Sequence, residues 1–223
     1  MRLFLLPARF PPRPSICTGR VGIVLAPRTV IVRRPAAEEQ AGPHRDPSGI
    51  DAQGQYASAP AMTDRLAALA VLARDETGLA AAPLLHFRER YADNALALDK
   101  WFALQAHNTT GDPLARVQML ERDPTFTLKN PNRVHALLGA FVRGNPSGFH
   151  RTDGAGYRLL AERLVQLDTL NPQLAARLAT AFNGWQRLEP QRREAAHACI
   201  AALARRGDLS RNLAEIIDSV FRH

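Results

Sequence analysis

The segment NPQLAARLATAFNGW, residues 171–185, sets the pattern for most of the chain. It begins with an asparagine that can cap a helix, directly before a proline that suits the first helical position. Gln173 and Arg177 lie four residues apart and share one helix face, which from the residues alone is typical of a solvated surface. The other side carries apolar residues at helical spacing, which predicts one buried face: Leu174, Leu178, Phe182 and Trp185.

The same pattern of helix caps followed by apolar helix faces recurs from Met62 to the end of the chain. It predicts about nine helices joined by short turns, so that successive helices are antiparallel neighbours. Because helix pairs recur roughly every 35 to 40 residues, we predict an all-α fold in which the pairs stack into an armadillo- or HEAT-like superhelix. The expected helix starts are Thr63, Asp112-Pro113, Asn130-Pro131, Asp153, Asn171-Pro172, Glu189-Pro190 and Ser210.

The first 60 residues have a different composition, with nine of the sixteen prolines and eight arginines against four acidic residues. Val21 to Val32 is compatible with one or two short strands around Pro27, although a lone hairpin is marginally stable. The absence of acids from the first 37 residues also leaves open a mitochondrial-type presequence, but no amphipathic helix is visible there. We therefore predict a disordered Pro/Arg-rich extension over residues 1–55 and a helical domain over residues 56–223.

The formal charge of +8 and the isoelectric point near 10.6 suggest a nucleic-acid partner. Lys100 and Lys129 are the only lysines, however, and an excess of arginine can reflect the base composition of the genome, so we do not expect nucleic-acid binding. No apolar run approaches the roughly 20 residues that cross a bilayer. The apolar start of the chain is also too short for a signal peptide. We expect a cytoplasmic protein with no membrane partner.

Catalytic motifs are missing from the sequence. None of the seven histidines is followed by Glu, no two lie four apart on one helix, and there is no phosphate-binding loop or nucleophile elbow. Cys17 and Cys199 form no CxxC pair. We expect no catalytic residue and no metal site. Arg133 and His135 lie at a helix entrance, where an arginine can bond to neighbouring carbonyls and a histidine is typically a surface residue.

Several segments, in order and in register, resemble bacterial aminopeptidase N, the zinc-dependent alanyl aminopeptidases. Each segment is weakly diagnostic alone, but their order and spacing are specific to that family. They are AMTDRLAAL (61–69), DKWFALQA (99–106), FTLKNPNR (126–133), GAF (139–141), NP (145–146), FH (149–150), DGAGY (153–157), and NPQ (171–173) with Arg177.

The resemblance implies that this chain corresponds to the C-terminal helical domain of such an enzyme. In the family the zinc ligands and the catalytic groups lie in a separate catalytic domain, so zinc is the cofactor of the full-length enzyme and not of this chain. The helical domain caps the active-site cavity, with a peptide substrate and the catalytic domain as its partners. By position Gln173 and Arg177 match cavity-lining residues, and Arg133 and His135 are further candidates. His135 falls where relatives commonly have Arg.

The first 55 residues do not resemble the family, and their Pro/Arg richness is typical of a wrong reading frame. We therefore expect a truncated or frameshifted gene whose in-frame part begins between residues 40 and 56. Two functions follow as hypotheses. The first is the C-terminal domain of a zinc aminopeptidase, inactive by itself. The alternative is a stand-alone helical-repeat module that binds a protein or a nucleic acid.

Overall fold

The computed structural model describes residues 22–25, 28–31, 47–74 and 78–222. The chain divides into two compact units, residues 1–40 and residues 41–223. In the first unit, β1 (Gly22–Leu25) pairs antiparallel with β2 (Arg28–Ile31), and Gly22 lies opposite Ile31. These are the two short strands that the sequence allowed around Pro27. The remainder of residues 1–46, for which we predicted disorder, lies outside the described residues.

The second unit is built from helices in its described residues, and its long helices are α4, α9 and α11. A π-helical segment, His135–Gly139, joins α6 to α7, and two 3₁₀ turns, Thr180–Phe182 and Trp185–Arg187, follow α10. The α-helices are α1 (Pro47–Ser58), α2 (Met62–Leu72), α3 (Ala81–Arg90), α4 (Ala95–His107), α5 (Pro113–Leu120), α6 (Pro131–Val134), α7 (Ala140–Gly144), α8 (Pro146–Phe149), α9 (Ala155–Leu170), α10 (Pro172–Ala179), α11 (Pro190–Ala204) and α12 (Arg211–Arg222). The predicted all-α class is confirmed for this unit.

Helix α1 begins at Pro47, ahead of the domain boundary that the sequence placed at residue 56. Ala52 is 1% exposed and Tyr56 is also buried, so α1 contributes to the same core as the later helices. The Tyr56 hydroxyl donates a hydrogen bond of 2.9 Å to the carbonyl of Pro83, next to its contact with His86. Packing therefore extends the helical unit upstream of the predicted start.

The predicted capping side chains act as caps at five helix starts, those of α5, α6, α10, α11 and α12. Asp112 Oδ1 accepts from the N–H groups of Leu114 and Ala115, and Asn171 Oδ1 accepts from that of Leu174. Asn130 and Glu189 cap α6 and α11 in the same way. These contacts satisfy N–H groups that have no partner inside the helix.

Two helix starts differ from expectation. Thr63 was predicted to cap α2, but the N-cap is Ala61 and makes no side-chain bond, because the helix already begins at Met62 and Thr63 lies in its first turn. At α9 the N-cap is Gly154, in a left-handed conformation, while the Asp153 carboxylate accepts from the N–H of Ala155. Ser210 does cap α12, since its hydroxyl accepts from the N–H of Leu213 at 3.3 Å.

One apolar core runs along the stacked helices. Leu98, Trp101 and Phe102 of α4 are buried. Leu96, in the first turn of the same helix, is 62% exposed. None of the helices in the described ranges combines the length and apolar content needed to span a lipid bilayer.

Candidate functional site

Helix α10 presents the polar face that the sequence predicted. Its N-terminus is fixed by the Asn171 cap, and Leu174, Ala175 and Leu178 bury its inner side. Gln173 and Arg177 are both exposed on its outer side, one helical turn apart. The rigid, well-packed inner side therefore holds two long polar side chains toward solvent.

A second helical rod, residues 131–144, brings His135 to this region. Its middle turn, His135–Gly139, is π-helical, which is a rare geometry frequent at functional sites. A Cβ on Gly139 would lie 3.0 Å from His135 Nδ1 and 3.8 Å from Arg143 Nη1. The missing side chain at Gly139 thus provides the space in which an imidazole and a guanidinium group come together.

The electrostatics connect the two helices. Burial lowers the pKa of His135, and the positive charges of Arg143 and Arg177 lower it further. The charge of Arg177 on α10 therefore acts on an imidazole that belongs to the other rod. We call His135, Arg143, Arg177 and Gln173 the cationic cluster. Both effects favour the neutral form of the imidazole, and the two arginines supply the charge of the cluster.

Arg133 does not join this surface. It is 4% exposed, and its guanidinium carbon lies 5.1 Å from the centre of the Phe102 ring. Its Nη1 lies 3.0 Å from Asp99 Oδ1, but at an angle that makes no hydrogen bond, so the contact is an ion pair only. Arg133 therefore ties the start of the rod to α4, two residues before His135.

Arg143 was missed by the sequence analysis. Its only local signal is spacing, because His135, Gly139 and Arg143 follow one another at intervals of four residues. Such spacing places residues on one face of an α-helix, but the π-helical turn changes the register.

A separate cavity of about 260 Å³ lies beside the two 3₁₀ turns. In its wall, His150 Nδ1 lies 2.9 Å from the Tyr157 hydroxyl. Burial lowers the pKa of His150, with Arg192 adding to the effect, and burial raises the pKa of Tyr157 to about 12. The imidazole and the hydroxyl are therefore each other's hydrogen-bond partner in this wall.

In the part of the chain that the structure describes, no group of three or more His, Cys, Asp or Glu side chains is arranged to hold a metal ion. Cys199 is half-buried on α11, and burial raises the pKa of its thiol. The fold defines a helical-repeat domain, and the cationic cluster gives it exposed positive charge at Arg143 and Arg177.

Comparison with known proteins gives the same structural class, a helical-repeat domain, and identifies its family. The family described as "Domain of unknown function (DUF3458_C) ARM repeats" matches residues 42–222. Aminopeptidase N of Escherichia coli K12 is 37% identical over 163 residues, which cover 73% of this chain and 19% of that protein. Aminopeptidase N of Haemophilus influenzae is 35% identical over 170 residues, covering 76% of this chain and 20% of that protein.

A solved structure agrees with these sequence relatives. The crystal structure of Legionella pneumophila aminopeptidase A in complex with aspartic acid superposes with a TM-score of 0.73 at 30% identity, over 78% of this chain and 20% of that one. This chain therefore belongs to the ARM-repeat family that forms the C-terminal domain of aminopeptidase N, as its sequence segments predicted. It spans about a fifth of the length of the relatives it matches.

Proposed function

We propose that this chain acts as the C-terminal domain of a zinc aminopeptidase, where it caps the active-site cavity and contacts the peptide beyond its first residues. The observation that carries this proposal is the cationic cluster, in which Gln173 and Arg177 of α10 and Arg143 of the 131–144 rod are exposed and the charges of both arginines lower the pKa of His135. Family membership supplies the enzyme class, and the cluster supplies groups suited to a peptide.

The groups of the cluster match the chemistry of a peptide chain. The Gln173 amide can donate to a backbone carbonyl or accept from a backbone N–H, and Arg177 can bond a carbonyl or attract a carboxylate. Contacts of this kind are equally strong in the enzyme–substrate complex and in the transition state. They therefore strengthen substrate binding and leave the rate of the chemical step unchanged.

The chemistry itself is assigned to the catalytic domain of the full-length enzyme, which is also the partner of this domain. When bound there, zinc would supply an activated water for peptide hydrolysis. The cationic cluster offers no set of zinc ligands for that step, because His135 is the one residue among its four members of a type that binds zinc. A cytoplasmic location stays a prediction of the sequence.

A chimaera tests the proposal. Residues 42–222 would replace the matching segment of the Escherichia coli aminopeptidase N, and the isolated 223-residue chain would be assayed beside it. We expect the isolated chain to bind no stoichiometric zinc and to release nothing from alanine p-nitroanilide, whereas the chimaera hydrolyses it in a chelator-sensitive way. Hydrolysis by the isolated chain with one zinc bound, or a folded chimaera without activity, would contradict the proposal.

The alternative of a stand-alone nucleic-acid-binding module gains no support from the charge distribution. Residues 47–222 contain 21 Lys and Arg against 18 Asp and Glu, a net charge of +3, so most of the +8 belongs to the first 46 residues. A salt-dependent affinity of the helical unit for DNA or RNA would favour that alternative.

A further inference from the structure

An asparagine followed by a glycine lies at an exposed turn between α10 and α11. Asn183 and Gly184 separate the two 3₁₀ turns that follow α10, and both residues are exposed. Gly184 has a φ of 77°, a left-handed conformation that glycine adopts without strain. A Cβ at Gly184 would meet no atom within 4 Å, so the space beside its Cα is open.

This dipeptide carries both groups of an intramolecular reaction. The side-chain carbonyl carbon of Asn183, Cγ, is an electrophile, and the backbone nitrogen of Gly184 reaches it by closing a five-membered ring. Glycine leaves that nitrogen accessible because it has no Cβ. Among the described residues, the Gly184 N–H donates to no backbone carbonyl, so no such bond has to break before the attack. At Asn183 ψ is 137°, and rotation about this bond brings the nitrogen toward Cγ.

The Asp153–Gly154 sequence, which offers the same ring closure, is protected by the fold. The Gly154 N–H donates a hydrogen bond of 3.0 Å to the Arg151 carbonyl. The Asp153 carboxylate accepts from the Arg151 guanidinium and from the Ala155 N–H, and these bonds lower the pKa of Asp153. An ionised carboxylate resists attack by a nucleophile. The two glycine turns therefore differ in how the fold holds the reacting groups.

We propose that Asn183 is a site of spontaneous deamidation, in which the Gly184 nitrogen closes a succinimide ring and water opens it. The bond from the Gly184 nitrogen to Asn183 Cγ forms and the Cγ–Nδ2 bond breaks. The N–H proton leaves with the side-chain nitrogen as ammonia, and no atom is oxidised or reduced. Addition of one water at Cγ then gives aspartate. Addition at the backbone carbonyl carbon gives isoaspartate, whose main chain is longer by one methylene group.

The longer main chain would alter the turn that anchors Trp185. Trp185 Nε1 donates a hydrogen bond of 2.9 Å to the carbonyl of Val220 on α12, and its ring centre lies 5.1 Å from that of His197 on α11. Asn183 is two residues away and lines the same hollow of about 260 Å³ as Trp185. We therefore expect the isoaspartyl chain to melt at a lower temperature than the unmodified chain.

The test uses the full 223-residue chain, incubated at mildly alkaline pH and digested with trypsin at intervals. Trypsin releases residues 178–187 as LATAFNGWQR, and the same synthetic peptide, incubated in parallel, gives the rate without the fold. Mass spectrometry detects the replacement of the side-chain NH2 by OH, and chromatography separates aspartate from isoaspartate. We expect the folded chain to react at no less than about a tenth of the peptide rate. The reaction needs no catalytic domain, so its outcome is independent of the proposed function.

Asn212 is the internal control, because it is also exposed but is followed by Leu213 inside α12. We expect no change of mass at Asn212 and no isoaspartate at Asp153 over the same time. Asn183→Gln should keep the mass of its peptide, since the longer side chain would have to close a less favourable six-membered ring. A slower reaction at Asn183 than about a tenth of the peptide rate, or an equal reaction at Asn212 or Asp153, would overturn the inference. Equal melting temperatures of the isoaspartyl and unmodified chains would overturn the effect on the Trp185 turn.

Discussion

Arg163 on α9 holds Glu121, at the end of α5, through two parallel hydrogen bonds. Nε donates to Oε1 at 2.6 Å and Nη2 to Oε2 at 3.0 Å, across 42 residues of sequence. The Glu121 side chain is only 9% exposed and that of Arg163 22%. The hydrogen bond to Glu121 raises the pKa of Arg163 despite the opposing effect of burial. This bidentate pair ties α9 to the end of α5.

Glu121→Gln is expected to lower the free energy of unfolding by about 1–3 kcal/mol, because it leaves a partly buried arginine with one weaker partner. Urea denaturation measures the change. Glu162→Gln is the matched control, since Glu162 is 67% exposed and lies 3.8 Å from the same arginine. We expect the control to stay within about 0.5 kcal/mol of the wild type. An equal effect of both variants would show that the bidentate geometry contributes nothing.

Stability is expected to fall as the pH drops below neutral. Burial lowers the pKa of His107, His135 and His150, so the native state resists protonation that the unfolded chain accepts near pH 6.5. The unfolded state then binds more protons, and stability that is present above pH 6.5 is lost as the pH falls through the native pKa values. Urea unfolding at about pH 8, 6 and 5 checks this, since these values bracket the ordinary titration of histidine.

His150→Gln tests the source of that pH dependence. The variant removes one of the three titrations and is expected to flatten the curve between about pH 6.5 and 5. Two aspartates contribute at lower pH. Hydrogen bonds lower the pKa of Asp112, chiefly from the Ala115 N–H, and that of Asp153, chiefly from Arg151, so the stability they contribute is lost progressively below about pH 5. Stability that rises on acidification would contradict this prediction.

Gly156 lets α9 start directly against the backbone of Phe149. A Cβ at Gly156 would lie 2.3 Å from the Phe149 carbonyl oxygen and 2.8 Å from its carbonyl carbon. Because backbone atoms cannot rotate away, we expect Gly156→Ala to destabilise the domain by about 1–3 kcal/mol or more. Gly54→Ala, in α1 with open space around its Cβ, is expected to stabilise by up to about 1 kcal/mol. Thermal melting of both variants decides, and two changes of the same sign would refute the argument.

The sequence predicted what depends on local interactions. Caps such as Asp112 and Asn171 and the buried stripe of α10 follow from residues within one or two helical turns, so periodicity and capping chemistry were sufficient. Helix α1 was missed because its sequence, PSGIDAQGQYAS, has few apolar residues and a central glycine. Its stability comes from contacts of Ala52 and Tyr56 with later helices, which no local pattern records.

The candidate site was only partly predictable for the same reason. The shared face of Gln173 and Arg177 is a property of one helix, and the sequence identified it. Arg133 is buried because Asp99 and Phe102 lie on a helix about 30 residues earlier. The position of Arg143 near Gly139 follows a π-helical turn, which the spacing of residues does not reveal.

We propose that this domain binds the peptide and that the catalytic domain carries out the chemical step. The kinetics of Arg177→Ala in the chimaera test this most directly. With trialanine as substrate, we predict that KM rises about three- to tenfold while kcat changes little, because the contact is the same in the ground and transition states. Arg193→Ala, as the control, is expected to change neither constant. A large loss of kcat at unchanged KM would contradict the account.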